Sequence, residues 1–183
     1  YTNYQKKKII SSFTGMRYIL AILFVWVSVC GMHAQGYETD FREGQRLFQE
    51  RAKSTQDHLK EHLLNYPHTP YSDEIYLMQG VLYVEKGKHK QAQKVFQKVK
   101  AKNLSRASES MYYFYWGYAY LQQGEFKKAL ACMQKLKKKQ NPYFLQATYY
   151  TGYCYYQQKE YQQALVEFLT LEELGGYDKI APD

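Results

Sequence analysis

From about residue 71 onward, apolar side chains return every three or four positions, the spacing of one face of an α-helix. Three polar stretches break that spacing: KGKHK at 86–90, QGEFKK at 123–128 and QKEY at 158–161. In the first two a glycine can take the left-handed conformation that ends a helix, so each stretch predicts the turn of a helix–turn–helix unit. Val, Ile and Thr are sparse, and no alternating run is long enough to predict strands. The expected class is all-α.

The apolar pattern is also periodic on a longer scale. Gly80, Gly117 and Gly152 are each followed by Tyr three residues on, Ala twelve on and a large apolar residue sixteen on. The sets are Gly80/Tyr83/Ala92/Phe96, Gly117/Tyr120/Ala129/Met133 and Gly152/Tyr155/Ala164/Phe168, with Val99, Leu136 and Leu171 nineteen residues after the glycines. Small residues belong where a neighbouring helix comes close, and large ones fill the space beside them. A plain helical bundle has no reason to repeat small and large residues at a fixed interval, whereas stacked helix pairs do. The intervals are 37 and 35 residues, and those beyond about 34 fall in the connections NLSRASES and QNPYF, where insertion lengthens a loop without disturbing a core.

Tyr76, Gly80, Tyr83, Gly87, Ala92 and Phe96, then Tyr113, Trp116, Gly117, Tyr120, Gly124, Ala129 and Met133, make the chain resemble the tetratricopeptide repeat family. The third unit departs at Thr148, where the others carry an aromatic, and at Lys159, where they carry Gly. The resemblance implies a right-handed α-solenoid of antiparallel helix pairs: repeats at 71–105, 106–142 and 143–177, a degenerate helix pair at 35–70 ending in NYPHTP, and the start of a further repeat at 178–183. It also implies a concave face lined by first helices, with Leu77, Val81, Val84, Phe114, Tyr118, Leu121, Tyr149, Tyr153 and Tyr156 offered to a protein or peptide partner. None of these nine is Lys, Arg or Asn, so capture of a terminal carboxylate is not the expected mode. Tyrosine supplies contact area with a polar tip at small entropic cost. The alternative is that these tyrosines fill a tight superhelix or are covered by further repeats.

The front of the chain reads as an address. MRYILAILFVWVSVCGMHAQ, from Met16, has a basic residue, an apolar run from Tyr18 to Val29 and then small and polar residues, the order of a secretory signal, here 16–34 with cleavage after Ala34. The run is short for a membrane span, so membrane association through residues 18–32 is the second choice and acylation of Cys30 the third. Residues 1–15 contain no Met and read as an upstream or non-native extension. The expected protein is exported and periplasmic or associated with the outer envelope.

The formal charge of +8 changes under that reading, because Lys6, Lys7, Lys8 and Arg17 precede the cut: 21 bases then face 17 acids, a net +4. Nucleic acid is not expected as a partner. Lys135, Lys137, Lys138 and Lys139 read as a solvated group that favours a helix C-terminus. Cys132 and Cys154 have no metal spacing and are expected as buried free thiols, while His58 and His62, four apart in HLKEH, are expected to be a solvated pair. Glu172 and Glu173 are adjacent and face apart on a helix. No nucleophile with a base, phosphate loop or carboxylate dyad stands out, so neither an enzyme nor a cofactor is expected.

Overall fold

The computed structural model describes residues 36–138, 140–176 and 180, divided between one unit that ends at Ala52 and another that begins at Lys53. The expected extension, signal, membrane segment and Cys30 lie outside the described residues, as do Lys139 and nearly all of 178–183. In the first unit residues 36–49 form helix α1, laced on its polar side by the ion pairs Arg42–Glu38, Arg46–Glu43 and Arg46–Glu50. Exposed pairs at this spacing each add only a few tenths of a kcal/mol, about 0.3–0.5.

The second unit is an α-solenoid built from α2 (Thr55–Asn65), α3 (Ser72–Glu85), α4 (His89–Phe96), α5 (Arg106–Leu121), α6 (Phe126–Gln134), α7 (Phe144–Gln157) and α8 (Tyr161–Glu173), with one 3-10 turn at Ala101–Asn103. No strand occurs among the described residues. Pro67 and Pro70 separate α2 from α3, as a proline without an N–H must.

The three polar stretches close α3, α5 and α7 in one way. Gly87, Gly124 and Lys159 have φ of +67°, +73° and +64°. Behind each, the next N–H reaches back five residues: Lys88 donates to the Tyr83 carbonyl at 2.8 Å, Glu125 to Tyr120 at 3.0 Å and Glu160 to Tyr155 at 2.9 Å. This Schellman closure satisfies carbonyls that a helix end leaves bare. The third unit therefore keeps the turn that its sequence departs from, with a lysine in the left-handed conformation.

Each hairpin then closes on its glycine. A Cβ built on Gly80 would lie 2.3 Å from Phe96 Cε1, one on Gly117 2.9 Å from both Cys132 Cβ and Met133 Cε, and one on Gly152 2.8 Å from Phe168 Cε1. The residue sixteen positions downstream thus occupies the place of the missing side chain. Ala92, Ala129 and Ala164 are buried beside these contacts, and Val99, Leu136 and Leu171 are buried at the ends of the second helices.

Polar links hold a first helix to the connection that leaves its own hairpin, and one hairpin to the next. The buried Asp73 carboxylate accepts the Lys100 N–H and the Asn103 amide, both at 2.7 Å. Ser110, seven residues before Gly117 as Asp73 is before Gly80, accepts the Asn141 amide at 3.0 Å. Gln93 donates to Glu125 at 3.2 Å between α4 and the start of α6. Lys137 pairs with Glu167 of α8, so one of the lysines expected to be merely solvated is a cross-link.

Candidate interaction face

The nine residues expected on the first-helix face divide by chemistry. Leu77, Val81, Val84 and Leu121 are buried, at most 8 % exposed, and present no free surface. This corrects their assignment to a partner: an aliphatic side chain has no polar tip to keep in water, and complete burial is its most favourable state. Phe114, Tyr118, Tyr149 and Tyr153 are half-buried, and Tyr156 is 55 % exposed.

Phe114, Tyr118 and Tyr149 are joined by ring contacts through Tyr150. Phe114 stacks on Tyr143 with centroids 4.6 Å apart. Tyr150 lies in the middle, meeting Phe114 at 6.1 Å, Tyr118 edge-on at 5.5 Å and Tyr149 edge-on at 5.3 Å. Tyr149 also meets Phe168 at 6.1 Å, and Tyr156 meets Tyr161 at 5.7 Å. Edge-to-face geometry of this kind contributes about 0.5–1.5 kcal/mol per pair beyond area burial, and it locks rotamers before any ligand arrives. Burial pushes the Tyr150 phenol up to about 12, with Tyr118 and Tyr149 adding to the shift. Tyr150 sits two residues before Gly152, outside the three positions chosen on each first helix. The run YYTGYCYY around it was the available signal.

Other expectations land elsewhere. His62 is buried, its Nε2 3.3 Å from Thr69 Oγ1 and its ring 5.1 Å from that of Tyr66, so the solvated pair is corrected to one core histidine and a half-buried His58. Cys132 and Cys154 are buried and unpaired in one cluster with Tyr120, Leu121 and Ala129, and burial pushes both thiols up to about 11. Thr148 fills the aromatic position of the third unit by donating its hydroxyl to the Phe144 carbonyl at 2.8 Å. Lys135 and Lys138 are exposed and, with Arg106, Glu109 and the Ser110–Asn141 link, line an open pocket of about 520 Å³ beside the N-terminus of α5. Glu172 and Glu173 are both exposed. Among the described residues no group of three or more His, Cys, Asp or Glu side chains gathers.

Compared with known families, the tetratricopeptide repeat model matches residues 77–143 and again 114–178, together more than half of the chain. No curated protein matches the sequence.

Proposed function

The chain belongs to the tetratricopeptide repeat family, and from that premise we propose that it is a non-catalytic scaffold of the bacterial cell envelope, binding peptide or protein segments along its aromatic first-helix face. Repeats of this family are generally protein–protein interaction modules. The observation that carries the reading here is the joined set Phe114, Tyr118, Tyr149 and Tyr150, rings already held in place by one another. Such a face lowers the ordering cost of binding, because few rotamers remain to be fixed. The envelope part of the proposal rests on residues 16–34, which have the composition of a secretory signal. An uncleaved Tyr18–Val29 run favours a second reading, an assembly component anchored in the membrane.

Two measurements test this. N-terminal sequencing of the protein from an envelope fraction should begin at Gln35; retention of the apolar run selects the anchored form, and recovery only from the cytoplasm removes the envelope role. For the binding face, Tyr118→Ala with Tyr149→Ala should lose the partner that the unmodified protein captures from an envelope extract, at unchanged helicity. Capture at undiminished yield would remove this face from the proposal.

A further inference from the structure

The charge of the chain is segregated. Residues 86–142 hold fourteen Lys and Arg against two acids, a net +12, whereas 36–85 and 143–183 each carry a net −4. The cations follow the repeat. Lys90, Lys98 and Lys100 stand ten, eighteen and twenty residues after Gly80, and Lys127, Lys135 and Lys137 stand at the same places after Gly117. After Gly152 those places hold Gln162, Thr170 and Glu172. Two observations bring the cations of the two hairpins onto one surface. Gln93 of α4 donates to Glu125 at 3.2 Å, and Glu125 also pairs with Lys128 of α6. Arg106, beyond the first hairpin, lines the 520 Å³ pocket together with Lys135 and Lys138, beyond the second. Few of these charges are neutralised. Lys128 and Lys137 form ion pairs and Lys98 lies over the Tyr76 ring at 5.2 Å, but Lys90, Arg106, Lys127, Lys135 and Lys138 are exposed and enter no ion pair among the described residues. Solvation alone does not call for such crowding: Lys90 and Lys94 stand at i, i+4 on α4, where like charges repel.

We propose that this basic face, carried by α4, α6 and the connections that follow them, docks on the surface of an anionic lipid bilayer. Its chemistry favours lipid headgroups over other polyanions. Thirteen of the fourteen cations are lysines, hydrated point charges suited to a diffuse array of headgroups. Sites that fork onto single phosphates or carboxylates use Arg, and protein interfaces are depleted in Lys. The aromatic rings of α4 and α6, Phe96 and Phe126, are buried and half-buried, so neither offers a platform on which a base would stack. Near an anionic bilayer each lysine strengthens partition by about fivefold. Stable attachment combines a basic patch with an apolar signal, and the Tyr18–Val29 run supplies one in the sequence. The choice of lipid over nucleic acid rests on the envelope reading above, whereas the basic face is independent of it and of what the aromatic face binds.

The test acetylates the 183-residue chain with an N-hydroxysuccinimide ester, alone and with vesicles of phosphatidylglycerol or of phosphatidylcholine, and follows each lysine by mass spectrometry. On phosphatidylglycerol Lys90, Lys127 and Lys135 should react at least about threefold more slowly, with Lys53 and Lys60 unchanged. Salt at about 0.5 M should restore the rates. Phosphatidylcholine should leave all five lysines as they are in solution. Lys94→Gln with Lys127→Gln should weaken the protection of Lys90 and Lys135, and Lys53→Gln with Lys60→Gln, which removes the same charge, should not. Unchanged rates on phosphatidylglycerol, or equal slowing of all five lysines, overturn the proposal. Stronger slowing of the same lysines by duplex DNA at equal phosphate overturns it as well and assigns the face to a nucleic-acid backbone. Failure of the envelope reading is seen separately, by N-terminal sequencing: a protein recovered only from the cytoplasm whose lysines phosphatidylglycerol still shields retains the basic face and loses the export.

Discussion

A methyl group on Gly80 would stand 2.3 Å from Cε1 of Phe96, a ring with no exposed surface. Real atoms do not approach so closely, so the ring or the helix has to move. Phe96 also lies against Tyr112 at 5.9 Å and Trp116 at 6.5 Å between ring centroids, which bars an easy swing. Overpacking costs about 1–3 kcal/mol, and alanine recovers about 1 kcal/mol in helix propensity. A 2.3 Å approach belongs at the upper end of the overpacking range, so Gly80→Ala should lose about 1–2 kcal/mol net in urea unfolding. At Gly152 the obstacle is Phe168, 2.8 Å away but only half-buried. Its ring can turn toward solvent, so Gly152→Ala should fall within about 0.5 kcal/mol of the parent. Equal losses at the two sites would show that the freedom of the facing ring does not decide the cost.

Lys159 supplies the opposite case. It holds φ of +64° where the two other hairpins have glycine, and around Gly87 and Gly124 an added Cβ would meet nothing within 4 Å. Backbone strain rather than crowding is then what distinguishes the residues, about 1 kcal/mol for a side chain in this region. Lys159→Gly should raise stability by about 0.5 kcal/mol or more, after the greater freedom of glycine in the unfolded chain is set against the relief. Gly124→Lys should lose about 1 kcal/mol. Thermal melts of the two variants give opposite shifts if the turn alone is responsible.

The glycine register was legible because both partners of each contact, the small residue and the large one sixteen on, are written in the sequence at a fixed interval. The turn at Lys159 was less so: its hydrogen bonds to Tyr155 and Tyr156 are backbone contacts that any residue can make. Burial was the poorest guide. His62 and Lys137 carry the same polar signature as solvated residues, and only Thr69 and Glu167, seven and thirty positions away, make them structural. In the candidate face the split between aliphatic and aromatic members depends on what lies above each helix. The central role of Tyr150 depends on Tyr118 and Phe114 in another helix.

Asp73 and Ser110 test how much the links from a first helix to the connection after its own hairpin contribute. Asp73→Ala removes two acceptors at once and leaves the Lys100 N–H and the Asn103 amide without them. Both bonds are part-buried, so a loss of about 1–2 kcal/mol is expected for the two together. Asp73→Asn keeps one carbonyl oxygen and should recover part of it. Ser110→Ala breaks the bond from Asn141 and the bond that Ser110 donates to the Arg106 carbonyl within its own helix, and should cost no more than about 1 kcal/mol because that carbonyl keeps its place in the helix. Chemical unfolding of the three variants should rank them in that order, and a Ser110 variant as damaged as Asp73→Ala would contradict it.

Alkaline pH should unfold the protein through its buried phenols and thiols. Burial pushes Tyr150 up to about 12 and raises Tyr112, Tyr113 and Tyr120 in the same direction, while Cys132 and Cys154 rise to about 11. A folded-state pKa above the unfolded value means that the unfolded chain releases its proton first, so stability falls wherever the two states differ in bound protons. The contribution is intact below about 8.5, where unfolded cysteine begins to ionise, and below about 10 for tyrosine. It is lost as pH rises through about 11 for the thiols and about 12 for Tyr150. Urea midpoints by circular dichroism should accordingly hold steady from pH 7 to 8 and drop across the higher range, with Tyr150→Phe making the drop shallower. In the same range the thiols should react with Ellman's reagent slowly until urea opens the α6–α7 cluster. Rapid modification of the folded protein at pH 8 would contradict the sealed environment of Cys132 and Cys154 and, with it, the origin assigned to the alkaline loss.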